Sequence, residues 1–245
     1  MKFESQYKQL LMRCLLKGDE KKERNGNTTS LFSENLKINL NEGFPIVTGK
    51  KIFFKKALGE FLWIWGGRTD IKFLNEYGIK WWDDYSKNGE VVKSYGYQVK
   101  NYNGEIDQIQ LAFNELKNYS RRAVISLWNP SDIKDQALPC CYTQLIYNRV
   151  NDKLNLQVNF RSSDLFLGLP YDICVMALFL ISMAKKLDLK PNILACNLTD
   201  AHIYDEHKNQ VLEYYKRPNY TLPEFKDGKL ENYKHGELIK AELIL

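Results

Sequence analysis

Apolar positions across residues 4–17 recur at helical spacing and predict an amphipathic helix. A polar run from Lys17 to Thr29 follows and reads as a loop holding Arg24 and Gly26. Ala57 to Trp65 predicts an apolar helix with one acid on it, Glu60. A buried Glu60 needs a partner or a function; a surface-facing one needs neither. From Ala123 the period changes to that of strands: Ala123 to Trp128, Gln144 to Val150 and Leu154 to Phe160, with a turn at residues 151–153. In the last strand Leu154, Leu156, Val158 and Phe160 alternate with Asn155, Gln157, Asn159 and Arg161, so one face is core and the other polar. A polar sheet face ending in Arg161, Ser162 and Ser163 suits a phosphorylated, hydrogen-bonding ligand, and equally suits a solvated outer face.

The longest apolar stretch, Ile173 to Ala184, is closed by Lys185 and Lys186. It covers roughly a dozen residues against the roughly 20 a bilayer crossing needs, and so predicts a buried helix and no membrane anchor. The N-terminal residues mix charged side chains among their leucines and lack the uninterrupted apolar core of a secretory signal. No repeat, low-complexity tract or Pro/Gly/Ser linker divides the 245 residues, so one domain over 1–245 is expected. Its 44% hydrophobic content suffices for a core.

Five cysteines, Cys14, Cys140, Cys141, Cys174 and Cys196, form neither a disulfide framework nor a zinc-binding pair. A reducing compartment, the cytoplasm, is expected. The net charge of +5 is spread along the chain, a weak footprint for nucleic acid. Only eight of the 35 basic residues are Arg, which makes the adjacent Arg121 and Arg122 informative. The three histidines lack acids or cysteines at ligand spacing, and no metal site is expected. The Pro139-Cys140-Cys141 run leads from a loop into a strand, where a thiol is presented rather than packed.

These residues do not stand alone. Glu23-Arg24-Asn25-Gly26, Gly43-Phe44-Pro45-Ile46-Val47-Thr48, Ser120-Arg121-Arg122, Ala137-Leu138-Pro139-Cys140-Cys141, Arg161-Ser162-Ser163-Asp164, Leu167-Gly168-Leu169-Pro170 and Asp200-Ala201-His202-Ile203-Tyr204 occur in this order. In them the chain resembles the thymidylate synthase family. The resemblance implies a single α/β (α+β) domain whose large mixed β-sheet, flanked by helices, forms a homodimer interface. It implies Cys141 as nucleophile, since the family's spacing of twenty residues to an arginine is kept by Arg161. It implies 5,10-methylenetetrahydrofolate as co-substrate, with a thiolate adding to carbon 6 of a pyrimidine so that carbon 5 becomes nucleophilic. Such a cysteine needs a lowered pKa, for which Arg161 is the matched guanidinium.

By the same resemblance Arg24, Arg161 and Ser162 hold the nucleotide phosphate, and Arg121 and Arg122 reach the partner's site across the dimer. His202 and Tyr204 hold the sugar. Glu60 and Tyr95 join Cys141 as catalytic residues. Trp82, Asp164, Gly168, Lys50 and the C-terminal Leu245 face the folate, with Lys50 at its glutamate tail and the 239–245 segment closing over the ligands. Glu242 stands where the family usually has Pro.

Asp172 stands where thymidylate synthases carry Asn, and Tyr142 replaces the His after the nucleophile. A protonated Asp donates to ring nitrogen 3 of cytosine and accepts from its 4-amino group, the reverse of the pattern uracil presents. Deoxycytidylate hydroxymethylases of the same family carry Asp here, which implies dCMP as substrate and 5-hydroxymethyl-dCMP as product. The alternatives are a thymidylate synthase, a dCMP methylase, or a non-catalytic nucleotide- or RNA-binding relative.

Overall fold

The structure, a computed structural model, describes residues 2–244. Helix α1 (Phe3–Lys17) packs Phe3, Tyr7, Leu10, Leu11 and Cys14 inward at the helical spacing read from the sequence. The run expected as a loop is instead a hairpin. Strands β1 (Asp19–Glu23) and β2 (Gly26–Asn39) pair antiparallel from Glu23↔Gly26 outward, and Arg24 sits in the two-residue turn. Every β1 side chain is exposed, so no apolar alternation marks it.

Helices α2 (Phe54–Trp65), α3 (Ile71–Glu76), α4 (Tyr95–Lys100) and α5 (Gln108–Lys117) lead to β3 (Val124–Ser126), β4 (Tyr142–Val150), β5 (Lys153–Phe160) and the short β6 (Ser163–Asp164). Helix α6 (Gly168–Lys186), β7 (Lys190–Tyr204) and α7 (Lys208–Lys216) follow, with a small hairpin β8 (Glu224–Lys226) and β9 (Lys229–Glu231) near the end. Seven strands form one mixed sheet in the order β1-β2-β7-β5-β4-β3, with β6 beside β7. Strands β5 and β6 run parallel to β7, and the other pairs are antiparallel. The expected mixed sheet flanked by helices is thus present.

Helix α6 is longer than its uninterrupted apolar stretch. Its 19 residues would be long and apolar enough to cross a membrane, yet most of it is buried inside the fold. It lies against β5 and β7 on one side and α2 on the other, with Phe179 edge-on to both Phe61 and Trp65 at 5.4 and 5.2 Å. Pro170 is tolerated in its first turn, where a missing N–H leaves no helical bond unmade.

Two irregularities aim the strands. In β4, Leu145 and Tyr147 face the core in step; Tyr142, three residues before Leu145, joins them because the register shifts between Tyr142 and Gln144. In β7 the buried apolar residues are Leu194, Cys196 and Leu198, then Ala201 and Ile203. The parity changes opposite Ser33 of β2, which adopts a φ of 63°. Beyond this point His202 and Tyr204 share the side opposite to Ala201 and Ile203.

The far face of the sheet carries a row of amides. Asn35 donates to Asn197 at 2.5 Å, Asn197 to Asn159 at 2.9 Å, and Asn159 to Gln144 at 3.0 Å, linking β2, β7, β5 and β4. A depression of ≈ 500 Å³ lies on this face between Lys37, Lys153, Asn148 and Asn192. A second, of ≈ 410 Å³, is bounded by Trp128, Gln144 and Arg161.

Candidate active site

Cys141 ends the loop that enters β4. Its backbone N–H donates to the Tyr95 hydroxyl at 2.6 Å, and Tyr95 packs against Tyr142 with ring centroids 4.5 Å apart. The start of α4 therefore fixes the backbone at Cys141. Arg161, at the end of β5, clamps the same loop: Nε donates to the Cys140 carbonyl at 2.9 Å and Nη2 to that of Pro139 at 2.7 Å. The same Nη2 lies 3.8 Å from Cys141 Sγ. Of the five cysteines, only Cys141 is not fully buried. The neighbouring Cys140 is buried, and its thiol is pushed up by that burial.

Arg161 does pull the Cys141 thiol down, but burial is the stronger influence and Asp172 adds to it, so the thiol stands above its ordinary value. The lowered value expected from the sequence is not found in the isolated chain. Removing the guanidinium has a readable sign. Arg161→Met should move the midpoint of Cys141 alkylation by iodoacetamide to higher pH by about one pH unit. An unmoved midpoint, read by mass spectrometry across pH, would remove Arg161 from this role.

Glu60 is 8% exposed on α2. Its carboxylate accepts from Trp82 Nε1 at 2.7 Å and Trp81 Nε1 at 3.3 Å. Burial raises its pKa, and the two indole N–H groups oppose the rise. Asp172, in the first turns of α6, is held well above the usual carboxylate range by burial, then by Glu60 and Asp164. Among the described residues no side chain or backbone group hydrogen-bonds to it. Tyr142 lies close enough to Glu60, Asp172 and Cys141 to feel all three charges. The Cys141 thiol, two carboxyls and a phenol therefore converge, and the shift in β4 is what brings the phenol in.

Asp164 Oδ1 accepts from the backbone N–H groups of Phe166 and Leu167 at 2.9 and 3.3 Å, shaping the turn into α6. Gly168 then sits between Asp164 and Asp172: a Cβ there would lie 3.5 Å from Asp164 Cβ and 3.9 Å from Asp172 Oδ2. His202 is buried and its Nδ1 lies 3.6 Å from Asp200, too long for a hydrogen bond, while its ring meets Tyr204 edge-on at 5.3 Å. The Tyr204 hydroxyl accepts from Asn25 at 3.3 Å, which ties the Arg24 turn to β7; burial pushes its pKa up to about 12.

Not every expected residue sits at this centre. Lys50 is 3% exposed, donates to the Phe166 carbonyl at 2.5 Å and lies 3.6 Å from that ring's centroid. Burial lowers its pKa to about 7, Asp164 opposing. Its ammonium faces inward beneath the Asp164 turn, and a contact with a ligand's outer tail is not what this placement offers. Arg121 and Arg122 are exposed ahead of β3 and form no ion pair among the described residues. Ser162 is half-buried beside Arg161. Leu245 lies outside the described residues.

Three residues entered the site without a sequence signal that singled them out. Tyr85 is close enough to Arg24 and Cys141 to be influenced by both. Trp81 is the second donor to Glu60, and its doublet with Trp82 was visible. Asn25 lay within a quoted motif, but its contact with Tyr204 depends on the hairpin.

A half-buried thiol pinned by an arginine, near two carboxyls of raised pKa, the buried Glu60 and the part-buried Asp172, is equipped for covalent addition to an electron-poor ring with proton transfer alongside. Among the described residues no three His, Cys, Asp or Glu side chains gather into a metal-holding group. A family model described as thymidylate synthase matches residues 5–245, nearly the whole chain. With that match added to this geometry, the chain belongs to the thymidylate synthase family.

Proposed function

We propose that this protein converts dCMP to 5-hydroxymethyl-dCMP, with Cys141 as nucleophile and 5,10-methylenetetrahydrofolate as co-substrate. The family's reaction is folate-dependent one-carbon transfer to a pyrimidine nucleotide. The cytosine assignment rests on one observation: Asp172 is a part-buried carboxyl with no hydrogen-bond partner among the described residues, its pKa held well above the usual carboxylate range by burial, then by Glu60 and Asp164, which favours its protonated form within the electrostatic reach of Cys141. In that form it donates to ring nitrogen 3 and accepts from the 4-amino group, and can lend its proton as sulfur addition makes that nitrogen basic.

The folate, when bound, supplies the one-carbon unit. Asp164, whose second carboxylate oxygen has no partner among the described residues, and the part-exposed indole of Trp81 fit a flat, hydrogen-bonding pterin, with the buried Trp82 behind them. Cys141 Sγ adds to carbon 6 with Arg161 stabilising the anion. Glu60 and Tyr95 flank the carbon 5 side, where a proton is removed and a water is directed. Arg24, Arg161 and Ser162 grip the phosphate, and His202 with Tyr204 the sugar.

Members of the family are typically homodimers. We place the interface on the amide-bearing sheet face, because the depression bounded by Trp128, Gln144 and Arg161 opens there. Arg121 and Arg122 would enter the partner's site from that side and add cations near its thiol. Five free thiols suit the reducing cytoplasm.

Incubating the protein with methylenetetrahydrofolate and either dCMP or dUMP, then measuring product mass and dihydrofolate absorbance, tests the reading. A dCMP product heavier by CH2O, without dihydrofolate, is expected. Turnover of dUMP alone with dihydrofolate appearing would instead make the enzyme a thymidylate synthase.

A further inference from the structure

His207 lies just beyond Tyr204, is 1% exposed, and touches no catalytic group named above. Its Nε2 is 2.8 Å from the backbone carbonyl of Glu242. A carbonyl only accepts, so Nε2 carries the hydrogen, as it does in one neutral tautomer and in the imidazolium. The ring is wedged between Phe166 and Tyr204, with centroids 5.7 and 5.9 Å away. The partner carbonyl belongs to an irregular C-terminal segment.

That segment has few holds. Gly236 N–H donates to the Thr48 carbonyl at 2.8 Å, Arg217 donates to the Glu237 carbonyl, and Ile239 is buried at 5% exposure. Past Ile239, within the described residues 240–244, the bond from His207 is the hydrogen bond that holds the chain down. Leu243 is half-exposed and contributes little burial. The end of the segment nevertheless reaches the candidate site. A Cβ built on Gly26 would lie 3.8 Å from Ile244 Cγ2 and 3.5 Å from Tyr204 Cδ1, so tail, hairpin turn and sugar-binding tyrosine meet at one point.

We infer that His207 is a positioning residue: by holding Glu242's carbonyl it keeps the C-terminal segment over the sugar and phosphate end of the active site. The inference about turnover rests on the proposed function; the tether itself does not. The peptide carbonyl at 242 serves whatever side chain that position carries.

His207→Phe keeps the ring packing and removes the donor, whereas His207→Gln restores an amide donor at similar reach. In the full-length protein, backbone amides of residues 240–244 should exchange with deuterium about tenfold faster in His207→Phe, with the rate recovering in His207→Gln and the thermal midpoint unchanged in both. In parallel, the KM for dCMP should rise several-fold in His207→Phe, because the displaced segment is the one beside Tyr204 and the Arg24 turn. Equal exchange in wild type and His207→Phe would end the tether, whichever nucleotide is turned over. Faster exchange with unchanged kinetics on every nucleotide would end its link to the site. If wild type turned over neither nucleotide, the functional reading would fall while exchange still decided the tether.

Discussion

Replacing Cys141 by Ser should lower kcat with dCMP by on the order of 10⁴-fold or more while leaving nucleotide affinity within a few-fold. The loss is so large because sulfur does the one thing no neighbour can. Tyr95, Tyr142 and Glu60 offer protons and hydrogen bonds, and Cys140 is buried with its thiol pushed up by that burial. A serine hydroxyl is far harder to ionise than a thiol, even beside Arg161. Stopped-flow or product-mass assays measure the rate, and calorimetry measures binding. Retained turnover in Cys141→Ser would overturn covalent catalysis. Unchanged biological activity despite lost turnover would point to the nucleotide-binding relative instead.

Asp172→Asn should swing the ratio of kcat/KM for dUMP over dCMP by on the order of 10³-fold or more, since each base then meets a matched or mismatched pair of buried polar groups. An unaltered ratio would free Asp172 of base reading. The raised pKa also sets a sign in pH. The carboxyl is neutral below its shifted value and ionises above it, so the part of kcat/KM for dCMP that depends on Asp172 should be lost as pH rises through that value, while ionisation of the Cys141 thiol sets the opposing acid limb. Stability follows the same sense. A carboxyl with a folded pKa above its unfolded one favours the fold below the unfolded pKa and loses that contribution as pH rises through the folded one. Asp172→Asn, lacking that ionisation, should be the more stable protein at neutral pH, as expected where a strained site serves chemistry.

Much of this was legible because burial leaves a periodic trace. Helix α1, the apolar α2 and the alternating β5 were read from the sequence, since one face of each meets the core. Strand β1 left no trace, because all five of its residues are charged and exposed and only its pairing with β2 makes it a strand. The reach of α6 was underestimated because its first turns carry Pro170, Tyr171 and Asp172, which interrupt the apolar run without interrupting the helix. At the site, the pairing of Cys141 with Arg161 and the substitution at Asp172 came from the resemblance to the family, whose twenty-residue spacing and motif register this chain keeps. Tyr85 and His207 could not be read that way, for their relevance arises from contacts between elements distant in sequence. Lys50 shows the opposite case: two residues beyond a matched motif, its ammonium points beneath the turn rather than out of it.

The amides of Asn35, Asn197, Asn159 and Gln144 satisfy one another within a single subunit. Peeling a second copy away from that face would strand few donors or acceptors, and water would readily take up the rest. Association through such a surface would depend on how well two rows of carboxamides mesh and on the apolar floor beside them, Ile146, Val150, Leu156 and Ile193. In a dimer joined through this face as proposed, dilution would separate subunits without unfolding them and leave each half-site without its neighbour's arginines.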